Sequence, residues 1–328
     1  IWCGIMNKLK AEIKEFGMKR ALSIAFKVLL IIVCIIILFV IISVVRHKIC
    51  SSKEKDLLAP LGELVEVNGH NMSVYTEGEG DKTLVFMSGG GTCSPILDFK
   101  SLYSLLSSEY KIAVVEKFGY GFSDTVDEKR DIDTILSETR MALDKAGIKG
   151  PYVLCPHSLS GLEALYWAQK YPDEVEAMAV PTYYDEMDIS IPMTKLGHYA
   201  AVLGITRWIP SLAESDAIKY GTLSENEKDI YRAVFYQRTA TETMVDEVKA
   251  VKDNANIVKE KGIPQVPMLL FISNGSGGTG FTKERWRSIP KEYISGHDNA
   301  SYIELDCPHY VHDYEYEAIS KGIRTFIK

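Results

Sequence analysis

Short apolar segments that alternate with segments of helical spacing are the feature that most constrains the fold of this chain. Several of these segments have the length and composition of buried strands. They cover residues 83–87, 111–115, 152–155, 175–180, 265–273 and 301–306. Apolar residues spaced as in a helix lie between many of them, for example over residues 132–146 and 162–170. This alternation predicts an α/β fold whose mostly parallel sheet has helices on both faces.

Two further segments complete the predicted architecture. The dipeptide Asn68-Gly69 lies between two strand-like segments, which predicts an antiparallel hairpin at one edge of the sheet. Residues 187–261 have helical spacing and little strand character, so we expect a helical cap over the carboxyl ends of the strands. Because its large apolar residues cannot all be solvated, we expect them to line an apolar substrate pocket; they are Ile191, Leu203, Trp208, Ile209 and Phe235.

The N-terminal region contains an apolar stretch long enough to cross a bilayer. Residues 28–45 are apolar except for Ser43, and residues 21–45 are predicted to form a transmembrane helix with the lipid bilayer as partner. A signal peptide is the alternative, although its apolar region is usually about 7–15 residues long. Lysines before the span favour a cytoplasmic segment 1–20. A linker at 46–61 and an extracytoplasmic domain at 62–328 would follow, in a single-pass protein of the cell membrane.

Composition excludes some classes of function. The chain has 328 residues, is 46% hydrophobic and 25% charged, and carries a formal net charge of −7. These values are typical of a globular protein, and with no basic stripe they argue against a nucleic-acid partner. The cysteines lack the spacing of metal ligands, and we expect neither a metal nor a cofactor. Buried free thiols are predicted at Cys93, Cys155 and Cys307, with a Cys93–Cys155 disulfide as the alternative.

A serine lies between a predicted strand and a predicted helix. The sequence Pro156-His157-Ser158-Leu159-Ser160-Gly161 joins the strand at 152–155 to the helix at 162–170. A sharp turn of this kind lifts a hydroxyl above the sheet, with a helix N-terminus behind it. Pro156 and Ser160 stand where Gly-x-Ser-x-Gly has its glycines. The alternative is that Ser158 only caps the helix.

Other loops are predicted to meet Ser158, because the carboxyl ends of parallel strands lie at one edge of a sheet. The glycines of the 88–92 loop leave backbone N–H groups accessible, and Gly90 and Gly91 are candidate oxyanion donors together with Leu159. A serine nucleophile also needs a base, and His309 follows the last predicted strand. His312 is the alternative base.

A glycine-rich sequence suggests a competing function. Residues 275–280 fit the Gly-x-Gly-x-x-Gly pattern of dinucleotide-binding loops, and they follow a predicted strand. That loop normally opens a nucleotide-binding domain, and too little chain remains here to complete one. We therefore favour a loop beside the active site.

Taken together, these motifs resemble the α/β-hydrolase superfamily. The resemblance rests on residues 88–91, Gly119-Tyr-Gly-Phe-Ser123, residues 157–161 and the late His309, and it extends from about Gly62 to the end. The chain looks similar to capped bacterial serine hydrolases of the esterase or aminopeptidase type. The resemblance implies Ser158 as nucleophile, His309 as base, and Gly90 or Gly91 with Leu159 as oxyanion donors. The expected function is a membrane-anchored hydrolase that cleaves an ester or amide of a small, partly apolar substrate through an acyl-enzyme.

The sequence offers several candidates for the catalytic acid. Members of the superfamily carry it after the strand at 175–180 or after the strand at 265–273, where this chain has Asn274. We therefore select Asp185, with Glu186, Asp298 and Asp306 as alternatives. Because the acid departs from the usual pattern, a non-catalytic binding or receptor protein with the same fold remains the alternative function.

Overall fold

The computed structural model describes residues 2–180, 189–277 and 280–328. Its centre is one eight-stranded sheet with the strand order β1-β2-β4-β3-β5-β6-β7-β8. The strands are β1 (Glu63–Val67), β2 (His70–Glu77), β3 (Thr83–Met87), β4 (Lys111–Glu116), β5 (Tyr152–Pro156), β6 (Val175–Val180), β7 (Met268–Ile272) and β8 (Ala300–Glu304). The predicted α/β fold class is therefore confirmed.

The sheet is antiparallel at one edge and parallel elsewhere. β2 pairs antiparallel with both β1 and β4, whereas all pairs from β4 to β8 are parallel. The predicted hairpin turns at Asn68 and Gly69, which both have positive φ. β3, β5 and β7 are buried along their whole length, because apolar side chains cover both faces of the sheet.

Helices pack on both faces of the sheet, and one long helix precedes the sheet in the chain. They are α1 (Trp2–Lys53), α2 (Pro95–Asp98), α3 (Lys100–Leu106), α4 (Ile132–Lys145), α5 (Ser160–Lys170), α6 (Ile191–Val202), α7 (Asp216–Tyr220), α8 (Glu225–Arg238), α9 (Glu242–Lys261), α10 (Lys283–Tyr293), α11 (Val311–Tyr314) and α12 (Tyr316–Phe326). Local sequence sets several of their starts. The Asp131 side chain accepts from the Thr134 N–H at the start of α4, and Ser224 and Glu227 form a capping box on α8.

The segment between β6 and β7 is a helical insertion, which we define as residues 189–261. It contains α6 to α9 and, over these described residues, no strand. Its side chains bond to the loop that follows β4: Thr241 Oγ1 donates to Gly119 O at 3.0 Å, and Arg238 Nη1 donates to Ser123 O at 3.0 Å. The insertion therefore covers part of the carboxyl edge of the sheet.

The N-terminal helix α1 is a single element of 52 residues. It is the one helix in the described part of the chain that is long and apolar enough to cross a membrane. The helix continues beyond Val45, so residues 46–53 of the predicted linker are helical. Bonds from the insertion to His47 and Ser51 hold this extension in place, and no signal in the linker sequence indicated them.

Candidate active site

Ser158 occupies a strained turn between β5 and α5. Its φ is +57°, a conformation that residues with a side chain rarely adopt. The backbone beneath it is crowded, since a Cβ built on Gly89 would lie 2.8 Å from the Ser158 Cβ. Ser158 therefore lies on the strand–turn–helix junction that the sequence predicted.

Ser160 explains how the turn forms without the second flanking glycine. Its hydroxyl donates to Met87 O at 2.7 Å and accepts from the His157 N–H at 3.0 Å. The His157 N–H also bonds to Met87 O, at 2.9 Å. These bonds attach the turn to the end of β3. A glycine at position 160 would lack the hydroxyl that makes two of them.

His309 lies beside Ser158, as the sequence predicted. Its Nε2 is 2.9 Å from the Ser158 hydroxyl oxygen. The loop after β8 holds His309 through its main chain, since its N–H donates to Ser276 O at 3.0 Å. Its carbonyl oxygen lies 3.2 Å from His157 Nε2. A hydroxyl and an imidazole at this distance can exchange a proton.

The surroundings of His309 favour the neutral imidazole. The ring is partly buried and packs edge-on against Trp286, with 5.3 Å between ring centroids. Desolvation, together with the neighbouring His312, lowers the pKa of His309 to about 4. At neutral pH the ring is therefore available as a proton acceptor.

Two further histidines pack beside His309; the sequence offered His312 only as the alternative base, and it did not predict His157 or Asp98 at the site. The His157 ring packs against the rings of His309 and His312, with centroids 4.8 and 4.6 Å away. His312 Nε2 lies 2.9 Å from Asp98 Oδ2, and both side chains are buried. The adjacency of His157 to Ser158 was a usable signal, whereas nothing in the sequence around Asp98 marked it.

The three predicted oxyanion donors differ in their bonding. The Gly91 N–H donates to the Tyr120 hydroxyl at 3.3 Å. Within the described residues, the N–H groups of Gly90 and Leu159 make no hydrogen bond. The two are close, because a Cβ built on Gly90 would lie 3.0 Å from Leu159 Cδ2. These two amides are therefore available to an oxyanion near Ser158.

The predicted acid and its nearest alternative lie outside the described residues, whereas the other two alternatives lie within them. Asp185 and Glu186 lie outside the described residues. Asp306 pairs with Lys283 at 2.7 Å on the surface, and Asp298 precedes β8 at the opposite edge of the sheet from His309. Among the described residues, no carboxylate makes a hydrogen bond to the His309 ring.

Three side chains of the types that can bind metals lie close together in the described part of the chain. The ligand atoms of Asp98, His312 and Asp313 lie within 4.8 Å of one another. Asp98 and His312 already bond to each other, which gives both a structural role. The cysteines at 93, 155 and 307 are buried and free, as predicted.

The apolar residues expected to line a substrate pocket differ in burial. Ile191, Trp208 and Ile209 are exposed by 38%, 45% and 51%. Trp208 contacts α1, since its ring packs on Phe39 with 5.5 Å between ring centroids. An apolar pocket in the insertion therefore stays a prediction.

Comparisons with known proteins agree with this fold. The chain is 34% identical over 321 residues to the uncharacterized protein YbdG of Bacillus subtilis, and the match covers 92% of this chain and 97% of YbdG. The enol-lactonase from Burkholderia xenovorans superposes with a TM-score of 0.63 at 17% identity, covering 81% of this chain and 99% of the lactonase. The epoxide hydrolase VrEH1 from Vigna radiata has a TM-score of 0.62 at 18% identity, covering 81% and 97%.

No protein-family model matches the chain. The solved structures are too distant in sequence to carry more than the fold, whereas the match to YbdG extends over nearly the whole of both proteins. The chain therefore has the α/β-hydrolase fold and belongs to the family of the Bacillus subtilis protein YbdG.

Proposed function

We propose that the protein is a serine hydrolase that cleaves an ester or amide bond. The observation that carries this proposal is the 2.9 Å separation of the Ser158 hydroxyl and His309 Nε2 on a strained strand–helix turn. A serine hydroxyl is a weak nucleophile until a base accepts its proton. The neutral His309 ring is suited to that role, and it comes from the loop after β8, on the same sheet edge.

The first half of the reaction acylates Ser158. Its oxygen attacks the substrate carbonyl carbon while the hydroxyl proton passes to His309 Nε2. The Gly90 and Leu159 N–H groups, which are unoccupied within the described residues, stabilise the negative oxygen of the tetrahedral intermediate. The intermediate then collapses, His309 returns the proton to the leaving group, and an acyl-enzyme remains.

The second half regenerates the serine. His309 accepts a proton from water, the resulting hydroxide attacks the acyl carbon, and the carboxylic acid product leaves as Ser158 recovers its proton. Asp185 is our proposed acid, which would orient His309 and stabilise its protonated form. The sequence position supports this choice, since Asp185 comes soon after the end of β6 in the chain, and superfamily members carry the acid after the corresponding strand.

We also propose that α1 anchors the enzyme in a membrane and that the insertion acts as a cap. The apolar side chains of α1 are exposed along the span, which is stable in lipid but not in water. The lysines before the span favour a cytoplasmic N-terminus and an extracytoplasmic hydrolase domain.

Labelling with a fluorophosphonate probe tests the hydrolase proposal. The full chain in detergent micelles should react covalently, and Ser158→Ala should abolish the reaction. Ser104→Ala is the matched control, because Ser104 is an exposed serine on α3. Labelling that persists in Ser158→Ala contradicts the proposal. A folded wild-type chain that neither labels nor hydrolyses acyl esters would favour the binding-protein alternative.

A further inference from the structure

The helical insertion is fastened directly to the end of α1. Arg207 makes two hydrogen bonds of 2.7 Å to the Glu54 carboxylate and one of 2.9 Å to His47 Nδ1. The Arg207 side chain is almost fully buried in this contact. Gly204 fits against the helix at φ +69°, where an added Cβ would lie 2.4 Å from the His47 Cβ. The insertion therefore has a fixed position relative to α1.

This contact extends into the apolar stretch of α1. The Trp208 ring packs on Phe39 with 5.5 Å between centroids, and its Nε1 donates to Ser43 Oγ at 2.8 Å. Ser43 is fully buried by the contact. Phe39 and Ser43 belong to the stretch that we propose to cross the membrane. If that stretch crosses the membrane, Trp208 lies at the same depth in the bilayer as the last helical turns of the stretch.

Large apolar side chains of the insertion near this contact remain substantially exposed within the described residues. We define the insertion face as residues on α6 and the following turns whose apolar side chains are 38–64% exposed: Ile191, Met193, Leu196, Tyr199, Val202, Trp208, Ile209 and Leu212. Ala201 is the one buried residue of α6. An apolar helix laid on the surface in this way is costly in water.

The charges near the insertion face fit a bilayer surface. From Ile189 to Ala213 the sequence has no Asp or Glu, although the whole chain carries a net charge of −7. Arg46 lies over the Trp208 ring at 4.8 Å and bonds to Arg207 O, at the boundary between the apolar stretch and the soluble domain. Trp, Tyr and Arg are residues that favour the headgroup layer.

We propose that the insertion face is embedded in the interfacial layer of the same bilayer that α1 crosses. The proposed occupant is lipid, because the face is continuous with a helix whose exposed apolar surface already requires lipid. This inference rests on the proposed membrane-spanning role of α1. The face would lie parallel to the membrane with its apolar side chains about 5–10 Å into the headgroup and acyl boundary.

Depth-sensitive fluorescence in vesicles tests this proposal. The accessible Cys3, Cys34 and Cys50 are replaced by Ala in the full chain, and single cysteines at Leu196→Cys or Leu212→Cys carry an NBD label. The chain is reconstituted in phosphatidylcholine–phosphatidylglycerol vesicles containing doxyl-labelled lipids. Ser137→Cys is the control, because it is exposed on α4, which packs against β1 and β2. A chain that keeps only Cys34 reports on α1 itself.

We expect labels at 196 and 212 to show blue-shifted emission and about twofold quenching by doxyl lipids, with neither effect at 137. Labels at 196 and 212 that remain in water while Cys34 reports lipid would overturn the docking of the face and leave the membrane span intact. Labels shielded from iodide but not quenched by doxyl lipids would indicate a protein partner, such as a second copy, and also overturn it. A label at Cys34 that reports water would overturn the span and the docking together.

Discussion

The hydroxyl oxygen of Ser158 lies 2.9 Å from Nε2 of His309, although 151 positions separate the two residues in the chain. Two loops at the carboxyl edge of one sheet create this contact, one after β5 and one after β8. Each loop is held by main-chain hydrogen bonds, from His157 N–H to Met87 O and from His309 N–H to Ser276 O. The main chain therefore holds Ser158's turn to the end of β3 and His309 to the loop after β7.

Gly89 and Gly90 should tolerate substitution differently. A Cβ on Gly89 would meet Ser158 Cβ at 2.8 Å and His157 Nδ1 at 3.0 Å, which are parts of a rigid turn. A Cβ on Gly90 would first meet the end of the Leu159 side chain, which can move. We expect Gly89→Ala to slow fluorophosphonate labelling by at least ~10²-fold, the scale of a misplaced catalytic group, and Gly90→Ala to slow it less. Equal rates in the two variants, at equal melting temperature, would contradict this account.

Asp185→Asn should reduce the rate of ester hydrolysis by ~10³–10⁴-fold if Asp185 is the acid that supports His309. Asp306→Asn is the matched control, because Asp306 is exposed and pairs with Lys283. The measurement is kcat/KM for an activated acyl ester. A loss of kcat/KM in the Asp306 variant and none in the Asp185 variant would assign Asp306, and not Asp185, as the catalytic acid.

His309 and His157 should contribute less stability in mild acid. Desolvation is the main cause that lowers the pKa of His309 to about 4 and that of His157 well below its usual range, so at these two groups the unfolded chain binds protons first as the pH falls. Their contribution to the free energy of unfolding is then greatest above pH ~6.5, and it decreases by about 1.4 kcal/mol per pH unit for each histidine between pH 6.5 and the pKa of the folded state.

Thermal unfolding between pH 7.5 and 5 measures this dependence. The His309→Gln variant should lose less stability over that range, because one of the two buried histidines is gone. His297→Gln is the control, since His297 lies on the turn before β8, away from the site. An identical pH dependence in wild type and His309→Gln would show that His309 does not titrate as its burial predicts.

Arg207 should stabilise the junction between α1 and the insertion more than a comparable surface arginine does. Arg207 and Arg232 each make two hydrogen bonds to one carboxylate, but their side chains are 4% and 31% exposed. We expect Arg207→Ala to cost about 1–3 kcal/mol, because it removes two hydrogen bonds between charged groups while Glu54 keeps its bond from Gln237 and is partly exposed. Arg232→Ala should cost about 0–1 kcal/mol. Melting temperatures of both variants in detergent provide the comparison, and equal shifts would contradict it.

Local sequence was sufficient for most secondary structure and for the nucleophile. The segments at 83–87 and 175–180 are strands with the predicted ends, since apolar β-formers between turn residues leave little alternative. Ser158 could be chosen because strand, turn and helix are adjacent in the chain. His309 could be chosen because its loop follows the last strand. Each of these predictions depends only on residues that are close together in the sequence.

The sequence by itself determined the α/β fold class, the apolar N-terminal helix and the loops that hold the candidate site, because strand and helix periods are local properties. The tertiary structure alone decided three contacts. His157 packs against His309, His312 bonds to Asp98, and Arg207 joins the insertion to α1. These partners are separated by many residues, and only packing in three dimensions selects one neighbour among many. It also left Ile209 about half exposed, because burial depends on which surfaces meet, and hydrophobicity does not specify that.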